Sequence, residues 1–342
     1  MTDPQWESLL RVFDGELLDE LPIGFIIDSP WLPGWSGISI LDYYSSERLW
    51  LESNLKAIRQ FPQVTFLPGF WSEFGMCTEP ASFGAKCVFP ENEFPFAEKV
   101  LDSFDEVARL TKPDCRVDGL SPFVIKRLQN CRKDIEAAGH RIRFAVSRGP
   151  LNIASFLAGH TETLMAVKTE PEAAARLIDL VTDFVIDWLS YQRECFDSID
   201  GILVLDDLIG FLGEGDFRQF ALPCFQRISA ALDVRIKALH NDARGLVTAK
   251  CLPEMGFNLF NFAYSHSLSE IRQLVGDDVV LLGNLPPRDI LAAGSPDDVR
   301  RETRAMVDSI EDKRRVVFSC GGGMPPNVST QNIEAFCQTV RG

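Results

Sequence analysis

Polar residues with catalytic or ligand chemistry stand at the ends of several short apolar runs. They are Asp28, Arg148, Asp206, Asp207, His240, Asp242, Asn284 and Cys320, the last followed directly by Gly321 and Gly322. Polar residues are common wherever a chain turns, so each of them alone is explained by its loop. Together, however, they all occupy the same kind of position, directly after an apolar run. This shared position predicts that they form one binding site.

Each of these residues has a predicted role and a plainer alternative. The adjacent acids Asp206 and Asp207 are predicted catalytic residues, as proton acceptor or substrate anchor, although such acids also cap the helix that follows. His240 is predicted to be catalytic too, and its alternative is a neutral histidine bonded to a backbone carbonyl. The predicted substrate contacts are Asp28, Arg148, Asn284, Gly321 and Gly322.

The segment after the last apolar run also has two interpretations. Cys320 is either a reactive ligand or a small buried hydrophobe. The glycines from Gly321 to Gly323 either permit a tight turn or direct backbone amides at an anion. The sequence leaves both alternatives open.

The elements that must position these residues alternate between strand and helix. The apolar runs are too short for helices, and amphipathic stretches separate them, which is typical of βα units around a parallel sheet. The predicted strands are residues 23–27, 64–67, 141–147, 201–205, 235–239, 258–262, 279–282 and 316–320. The pattern predicts an α/β fold, a (β/α)8 TIM barrel whose strands all end at one mouth, where active sites are built.

Several helices carry start signals. Thr169 and Glu172 have the spacing of a capping box before a long helix, a second capped helix opens at Ser295, and a closing helix begins near Ser329. An N-terminal extension and an aromatic-rich insertion complete the chain. The aromatic residues near the N-terminus belong either to the core or to a lid over a planar ligand: Trp31, Trp35, Phe70, Trp71 and Phe74.

Composition limits the classes of partner. No linker divides the 342 residues, so we expect a single domain over residues 1–342. A net charge of -15 repels phosphate backbones and argues against nucleic acid. No segment approaches the ~20 apolar residues of a membrane helix, and no export leader begins the chain, so we expect a cytoplasmic protein without a membrane partner. Nine cysteines without a Cys-x-x-Cys pair fit reduced thiols.

Four segments carry a family resemblance. They are Arg148-Gly149-Pro150-Leu151-Asn152, Leu205-Asp206-Asp207 with Phe220-Ala221-Leu222-Pro223, Leu282-Gly283-Asn284-Leu285, and Gly321-Gly322-Gly323-Met324-Pro325-Pro326. In their order and spacing, these segments resemble the uroporphyrinogen decarboxylase superfamily. The resemblance covers the chain from about residue 141 to the C-terminus and implies the (β/α)8 fold.

The residues by which that family decarboxylates are missing. Decarboxylases resemble one another in an arginine-rich N-terminal loop that binds the substrate's carboxylates, and in a late Gly-His-Gly. The corresponding loop here, residues 28–35, contains no arginine, and Gly322 stands where the histidine would be. A substrate with eight carboxylates needs cationic contacts, so we expect no uroporphyrinogen decarboxylase activity.

The chain is more similar to the family's cobalamin-dependent methyltransferases. That resemblance implies a zinc ion whose ligands follow one of the middle strands and the last strand. In this chain those metal ligands would be His240, Asp242 and Cys320. Zinc activates a thiol or an ether oxygen for methyl transfer. The implied partners are a small methyl donor or acceptor and a corrinoid protein that carries cobalamin. A porphyrinogen-like decarboxylase and a barrel that only binds a small ligand are the alternatives.

Overall fold

A computed structural model describes residues 1–28 and 30–342 of the protein. These residues contain ten β-strands and fourteen α-helices. The strands are β1 (Gly24–Ile26), β2 (Thr65–Leu67), β3 (Cys87–Val88), β4 (Phe96–Ala97), β5 (Phe144–Arg148), β6 (Gly201–Leu205), β7 (Ile236–Asn241), β8 (Leu259–Phe262), β9 (Val280–Leu285) and β10 (Val316–Cys320). All of them except the β3–β4 hairpin correspond to predicted strands.

The helices follow the strands in alternation. They are α1 (Asp3–Phe13), α2 (Leu32–Ser36), α3 (Ile40–Ser45), α4 (Glu47–Gln60), α5 (Ser121–Ala137), α6 (Pro150–Ala158), α7 (His160–Thr169), α8 (Pro171–Cys195), α9 (Glu214–Asp216), α10 (Leu222–Ala231), α11 (Val247–Met255), α12 (Leu268–Val275), α13 (Pro296–Asp308) and α14 (Thr330–Arg341). Apart from the hairpin, every strand is followed by at least one helix, which is the order of a (β/α)8 chain. The predicted α/β fold class is confirmed.

Two units divide the chain, and neither is one continuous stretch. The first unit comprises Met1–Trp71, Lys133–Arg143 and Asn258–Gly342, and the second comprises Ser72–Arg132 and Phe144–Phe257. Each unit therefore requires segments that are far apart in sequence. A single domain over residues 1–342 stays a prediction.

The first unit contains five parallel strands. β8 pairs with β9, β9 with β10, and β1 with β2. A parallel bridge between Ile23 and Phe318 joins the segment before β1 to β10. Three aromatic residues proposed for either core or lid, Trp31, Phe70 and Trp71, are at most 7% exposed. Their burial supports the core interpretation.

The second unit contains three parallel strands, β5, β6 and β7, with Leu205 opposite both Arg148 and His240. Helix α8 buries one apolar face, which includes Leu177, Phe184 and Trp188. This face packs into the core of the second unit.

Helix α8 also covers one backbone edge of β5. The Gln192 side chain on α8 donates to the Val146 carbonyl and accepts from the Val146 N–H, both at 2.9 Å. The two bonds give Val146 the pairing that another strand would otherwise supply.

The predicted start of α8 is wrong in one detail. Thr169 ends α7 and donates its hydroxyl to the Met165 carbonyl at 3.2 Å, so it does not cap α8. Glu170 occupies the N-cap position without a side-chain cap. The other two start signals are confirmed, since Ser295 forms a capping box with Asp298, and Ser329 caps α14.

No described helix combines the length and apolarity needed to cross a bilayer.

Candidate metal and substrate site

Three predicted site residues meet at the carboxyl ends of β6 and β7. Asp207 lies two residues after β6, His240 lies within β7, and Asp242 follows β7 directly. One potential ligand atom from each residue lies within 4.8 Å of the others. His240 Nε2 and Asp207 Oδ1 are 3.6 Å apart. The second unit thus holds an imidazole and two carboxylates in one cluster.

Backbone pairing positions the cluster. His240 was predicted after its strand, but β7 extends through Asn241, so His240 is a strand residue and only 7% exposed. The His240 carbonyl accepts from the Asp206 N–H at 3.0 Å, which fixes the start of the loop after β6. Asp207 accepts from the Asp242 N–H at 3.0 Å through Oδ1. The loops after β6 and β7 are therefore bonded to each other at the cluster itself.

Asn241 adds a second connection between these loops. Its Nδ2 donates to the Asp206 carbonyl at 2.8 Å, and its Oδ1 accepts from the Ala243 N–H at 3.2 Å. Asn241 is 1% exposed, so both bonds form away from solvent. No role for Asn241 was predicted, because an asparagine at a strand end is common and the Asp206 carbonyl that it contacts is 35 residues away.

Like charges meet in the cluster. Burial raises the pKa of Asp207, the His240 imidazole opposes the rise, and the Asp242 carboxylate adds to it. The Asp207 side chain nevertheless keeps 41% of its surface exposed, so solvent and solutes reach it. A cation between the two carboxylates would relieve their mutual repulsion.

The donor set fits a divalent metal ion of the zinc type. In a tetrahedral zinc site with bonds of about 2.0–2.2 Å, neighbouring ligand atoms lie about 3.4 Å apart, close to the 3.6 Å between His240 Nε2 and Asp207 Oδ1. Asp242 is exposed, so its side chain has room to turn toward an ion. One imidazole and two carboxylates would supply three ligands to such an ion, and a substrate atom would supply the fourth.

Asp206 contacts a different set of groups from those of its neighbour. It is fully buried, and its two carboxylate oxygens accept from the N–H groups of Leu151 at 2.9 Å and Asn152 at 3.2 Å. Burial raises the pKa of Asp206 to about 8, while these two N–H groups oppose the rise. These bonds give Asp206 a structural role as the cap of the N-terminus of α6, and its catalytic role stays a prediction.

Arg148 was predicted as a substrate contact in a loop, but it is the last residue of β5 and is 5% exposed. Its guanidinium pairs with Glu73 at 2.9 Å and with Glu79 at 3.4 Å, both of which are also buried. Glu79 additionally accepts from the Arg148 N–H at 2.9 Å. Because two carboxylates already face the guanidinium, Arg148 is not a free cation for an anionic substrate.

The acidic partners of Arg148 were not predictable from local sequence. Glu73 and Glu79 lie in the aromatic-rich insertion, and 75 and 69 residues separate them from Arg148. Arg127 extends the group by donating to the Glu73 carbonyl at 3.3 Å and lying 4.6 Å from the centre of the Phe74 ring. No short motif links these positions.

The segment after β10 belongs to the first unit. Cys320 is the last residue of β10, is fully buried, and its thiol lies 3.6 Å from the Gly322 carbonyl. The Gly321 N–H donates to the Leu285 carbonyl at 2.9 Å, so this amide is used in the sheet and is not directed at an anion. A metal site shared by His240 and Cys320 stays a prediction, because the two residues belong to different units.

The other two predicted substrate contacts, Asp28 and Asn284, also lie in the first unit. The Asp28 carbonyl accepts from the Leu32 N–H at 3.0 Å, at the start of α2. Asn284 lies within β9, is 7% exposed, and donates its side-chain amide to the His266 carbonyl. That hydrogen bond occupies one of the two N–H groups of the Asn284 amide.

Known proteins resemble the chain over nearly its full length. The family model described as uroporphyrinogen decarboxylase (URO-D) matches residues 5–342. A uroporphyrinogen decarboxylase from Hydrogenovibrio crunogenus is 23% identical, and the match covers 99% of this chain and 98% of that protein.

Solved structures share the fold. A methyltransferase from Methanosarcina mazei superposes with a TM-score of 0.81 at 17% identity, covering 98% of both chains. A B12-independent methionine synthase from Shewanella sp. W3-18-1 superposes with a TM-score of 0.54 at 12% identity, covering 94% of this chain and 98% of that one. Structural likeness at these identities shows a common fold, whereas the family model matches the sequence itself over residues 5–342. The chain belongs to the uroporphyrinogen decarboxylase family.

Proposed function

We propose that the chain is a metal-dependent methyltransferase that acts with a corrinoid protein on a small methyl donor or acceptor. The observation that supports this proposal is the cluster of Asp207, His240 and Asp242 within 4.8 Å. In this proposal Asp207 joins the predicted ligands His240 and Asp242. The fold shared with a solved methyltransferase is consistent with the proposal.

The chemistry assigned to this cluster is activation of a substrate heteroatom. A bound zinc ion would act as a Lewis acid, lowering the pKa of a thiol or making an ether oxygen a better leaving group. His240 would bind through Nε2, and the two aspartates would each bind through one oxygen. Asn241 would hold both loops in place, because its side chain bonds to the Asp206 carbonyl and the Ala243 N–H.

Metal analysis tests the proposal directly. Protein purified without chelator and supplied with zinc should retain about one equivalent, while His240→Ala and Asp207→Asn should each retain less than a tenth of that. His160→Ala is the matched control, because His160 is exposed and lies outside the cluster. Wild-type protein that holds well under one equivalent, or cluster variants that retain the metal, would remove the support for a metal-dependent reaction.

A porphyrinogen-like decarboxylase is the second candidate. The observation in its favour is that the matching family and the curated relatives carry that activity in their names. Against it stand the sequence of residues 28–35, which contains no arginine, and the pairing of Arg148 with two glutamates. We expect no coproporphyrinogen from uroporphyrinogen, as measured by chromatography of the oxidised products. Turnover at an enzymatic rate would establish the decarboxylase and overturn the methyltransferase.

A further inference from the structure

Two cysteines outside the metal cluster lie beside each other in the second unit. Cys77 lies in a turn that is stabilised by two backbone hydrogen bonds of Cys77. Its N–H donates to the Phe74 carbonyl at 3.2 Å, and its carbonyl accepts from the Ala81 N–H at 3.0 Å. Cys87 lies in β3, opposite Ala97 of β4. The Met76 N–H donates to the Pro95 carbonyl at 3.2 Å, which connects the turn to the hairpin.

The Cys87 thiol lies against the backbone of Cys77. Cys87 Sγ is 3.9 Å from the Cys77 carbonyl and 3.6 Å from the Ala85 carbonyl. Cys77 is fully buried, whereas Cys87 is partly exposed. A solute therefore reaches Cys87 before it reaches Cys77.

The ionisation of the pair favours the exposed sulfur as nucleophile. Interaction with the Cys77 thiol lowers the pKa of Cys87, and the same interaction raises the pKa of Cys77. By contrast, burial raises the pKa of Cys115, Cys224 and Cys337 to about 11. A thiolate is the reactive form of cysteine, so Cys87 should react with oxidants before those three.

We propose that Cys77 and Cys87 are a redox-active dithiol that a hydroperoxide converts into a disulfide. In the first step, the Cys87 thiolate attacks one peroxide oxygen and the O–O bond breaks. Cys87 becomes a sulfenic acid, and the other oxygen takes up a proton and leaves as an alcohol, or as water from hydrogen peroxide. In the second step, the Cys77 sulfur attacks the Cys87 sulfur, the S–O bond breaks, and water leaves with the proton of Cys77.

The disulfide would alter the segment that holds Arg148. Cys77 lies two residues before Glu79, whose carboxylate bonds to Arg148, and one residue after Met76, whose sulfur lies 3.2 Å from Arg148 Nε. A disulfide needs an S–S distance of about 2.05 Å, so closing it draws the turn toward β3. Oxidation would thus act on the contacts of Arg148 at the end of β5. This inference does not depend on the metal site.

Counting thiols under native conditions tests the proposal. Brief treatment with stoichiometric hydrogen peroxide should reduce the free thiols measured after unfolding from nine to seven. A thiol reductant should restore all nine. Peptide mass spectrometry should find the lost pair as one peptide cross-linked between Cys77 and Cys87 within a single chain.

Variants separate this pair from general oxidation. Cys87→Ser should remove the cross-link and preserve Cys77 as a free thiol, while Cys77→Ser should leave a sulfenic acid on Cys87 that a dimedone probe labels. Cys195→Ser is the control, because Cys195 is also partly exposed but burial raises its pKa, and this variant should still lose two thiols. Loss of thiols elsewhere at the same rate, or Cys87 oxidised further without a cross-link, would overturn the proposal.

Discussion

Asp206 and Asp207 are adjacent in the chain but contact different partners. Asp206 accepts two N–H groups at the start of α6 in a fully buried position, while Asp207 lies beside His240 and Asp242 with part of its surface open. The capping of α6 requires a close approach at Gly149. A Cβ placed on Gly149 would lie 2.3 Å from Asp206 Oδ2, well inside contact distance.

Gly149→Ala should destabilise the protein by about 2 kcal/mol, because the added methyl must displace the Asp206 carboxylate from the start of α6. Gly149 has an ordinary φ of -78°, so the effect is one of contact and not of backbone conformation. Urea unfolding would measure the change. Gly215→Ala is the control, since a Cβ there meets nothing within 4 Å, and it should change the stability by less than about 0.5 kcal/mol. Equal effects of the two substitutions would contradict the packing argument.

At the scale of elements, one side chain of α8 forms hydrogen bonds with the backbone of β5. Gln192 is 4% exposed and satisfies both backbone groups of Val146. A buried N–H or carbonyl that loses its partner costs about 1–3 kcal/mol. The helix therefore stabilises the strand that ends in Arg148 by hydrogen bonding as well as by packing.

Gln192→Ala should lower the free energy of unfolding by about 2–4 kcal/mol, because Val146 would lose both its partners. Hydrogen exchange at the Val146 amide should accelerate as well, and this readout locates the effect on β5. Gln129→Ala, at an exposed position of α5, should leave both quantities near the wild-type values. An unchanged exchange rate at Val146 would show that the helix contributes packing alone.

Short-range patterns predicted most elements of the fold. The strands β6 and β10 have the predicted bounds, because each is an apolar run ended by acidic residues or glycines. Strands β7 and β9 run further than predicted, because pairing continues through polar residues, with His240 opposite Leu205 and Asn284 opposite Ser319. Hydrophobic patterning marks where a strand is buried, but hydrogen bonding decides where it ends.

The candidate site was predictable only in part. Residue type and position after a strand pointed to Asp207, His240 and Asp242, which do lie together. The same criteria pointed to Arg148 and Asp206, whose side chains are occupied by Glu73, Glu79 and the start of α6. Those partners come from 54 to 75 residues away, so nothing local in the sequence distinguishes an occupied polar side chain from a free one.

At the scale of the whole molecule, His140 makes the stability depend on pH. It is 6% exposed, its Nδ1 has no hydrogen-bond partner among the described residues, and burial lowers its pKa from 6.5 to about 4. The unfolded chain therefore binds a proton at His140 more readily than the folded one does. The stability contributed by neutral His140 is present above about pH 6.5 and is lost as the pH falls toward 4.

His140→Phe should reduce this loss by on the order of 2 kcal/mol between pH 7 and pH 4.5, because phenylalanine has no proton to bind and keeps the ring contact with Phe70. Urea unfolding at a series of pH values would measure it. His160→Asn changes an exposed histidine and should leave the pH profile as in the wild type. If the His140→Phe protein lost as much stability at low pH as the wild type, other groups would be responsible for that loss.

The positions of the two units along the chain determine which unit is completely synthesised first on the ribosome. All residues of the second unit, including Asp207, His240 and Asp242, have been synthesised once Phe257 is added. The first unit lacks Asn258–Gly342 at that moment, and at 5–20 residues per second this segment takes roughly 4–17 s to make. Until Phe318 is synthesised, Ile23 has no partner in β10. The backbone groups on that edge of the β1–β2 pair therefore stay unpaired. The first unit therefore completes its strand pairing last, although its N-terminal segment is made first.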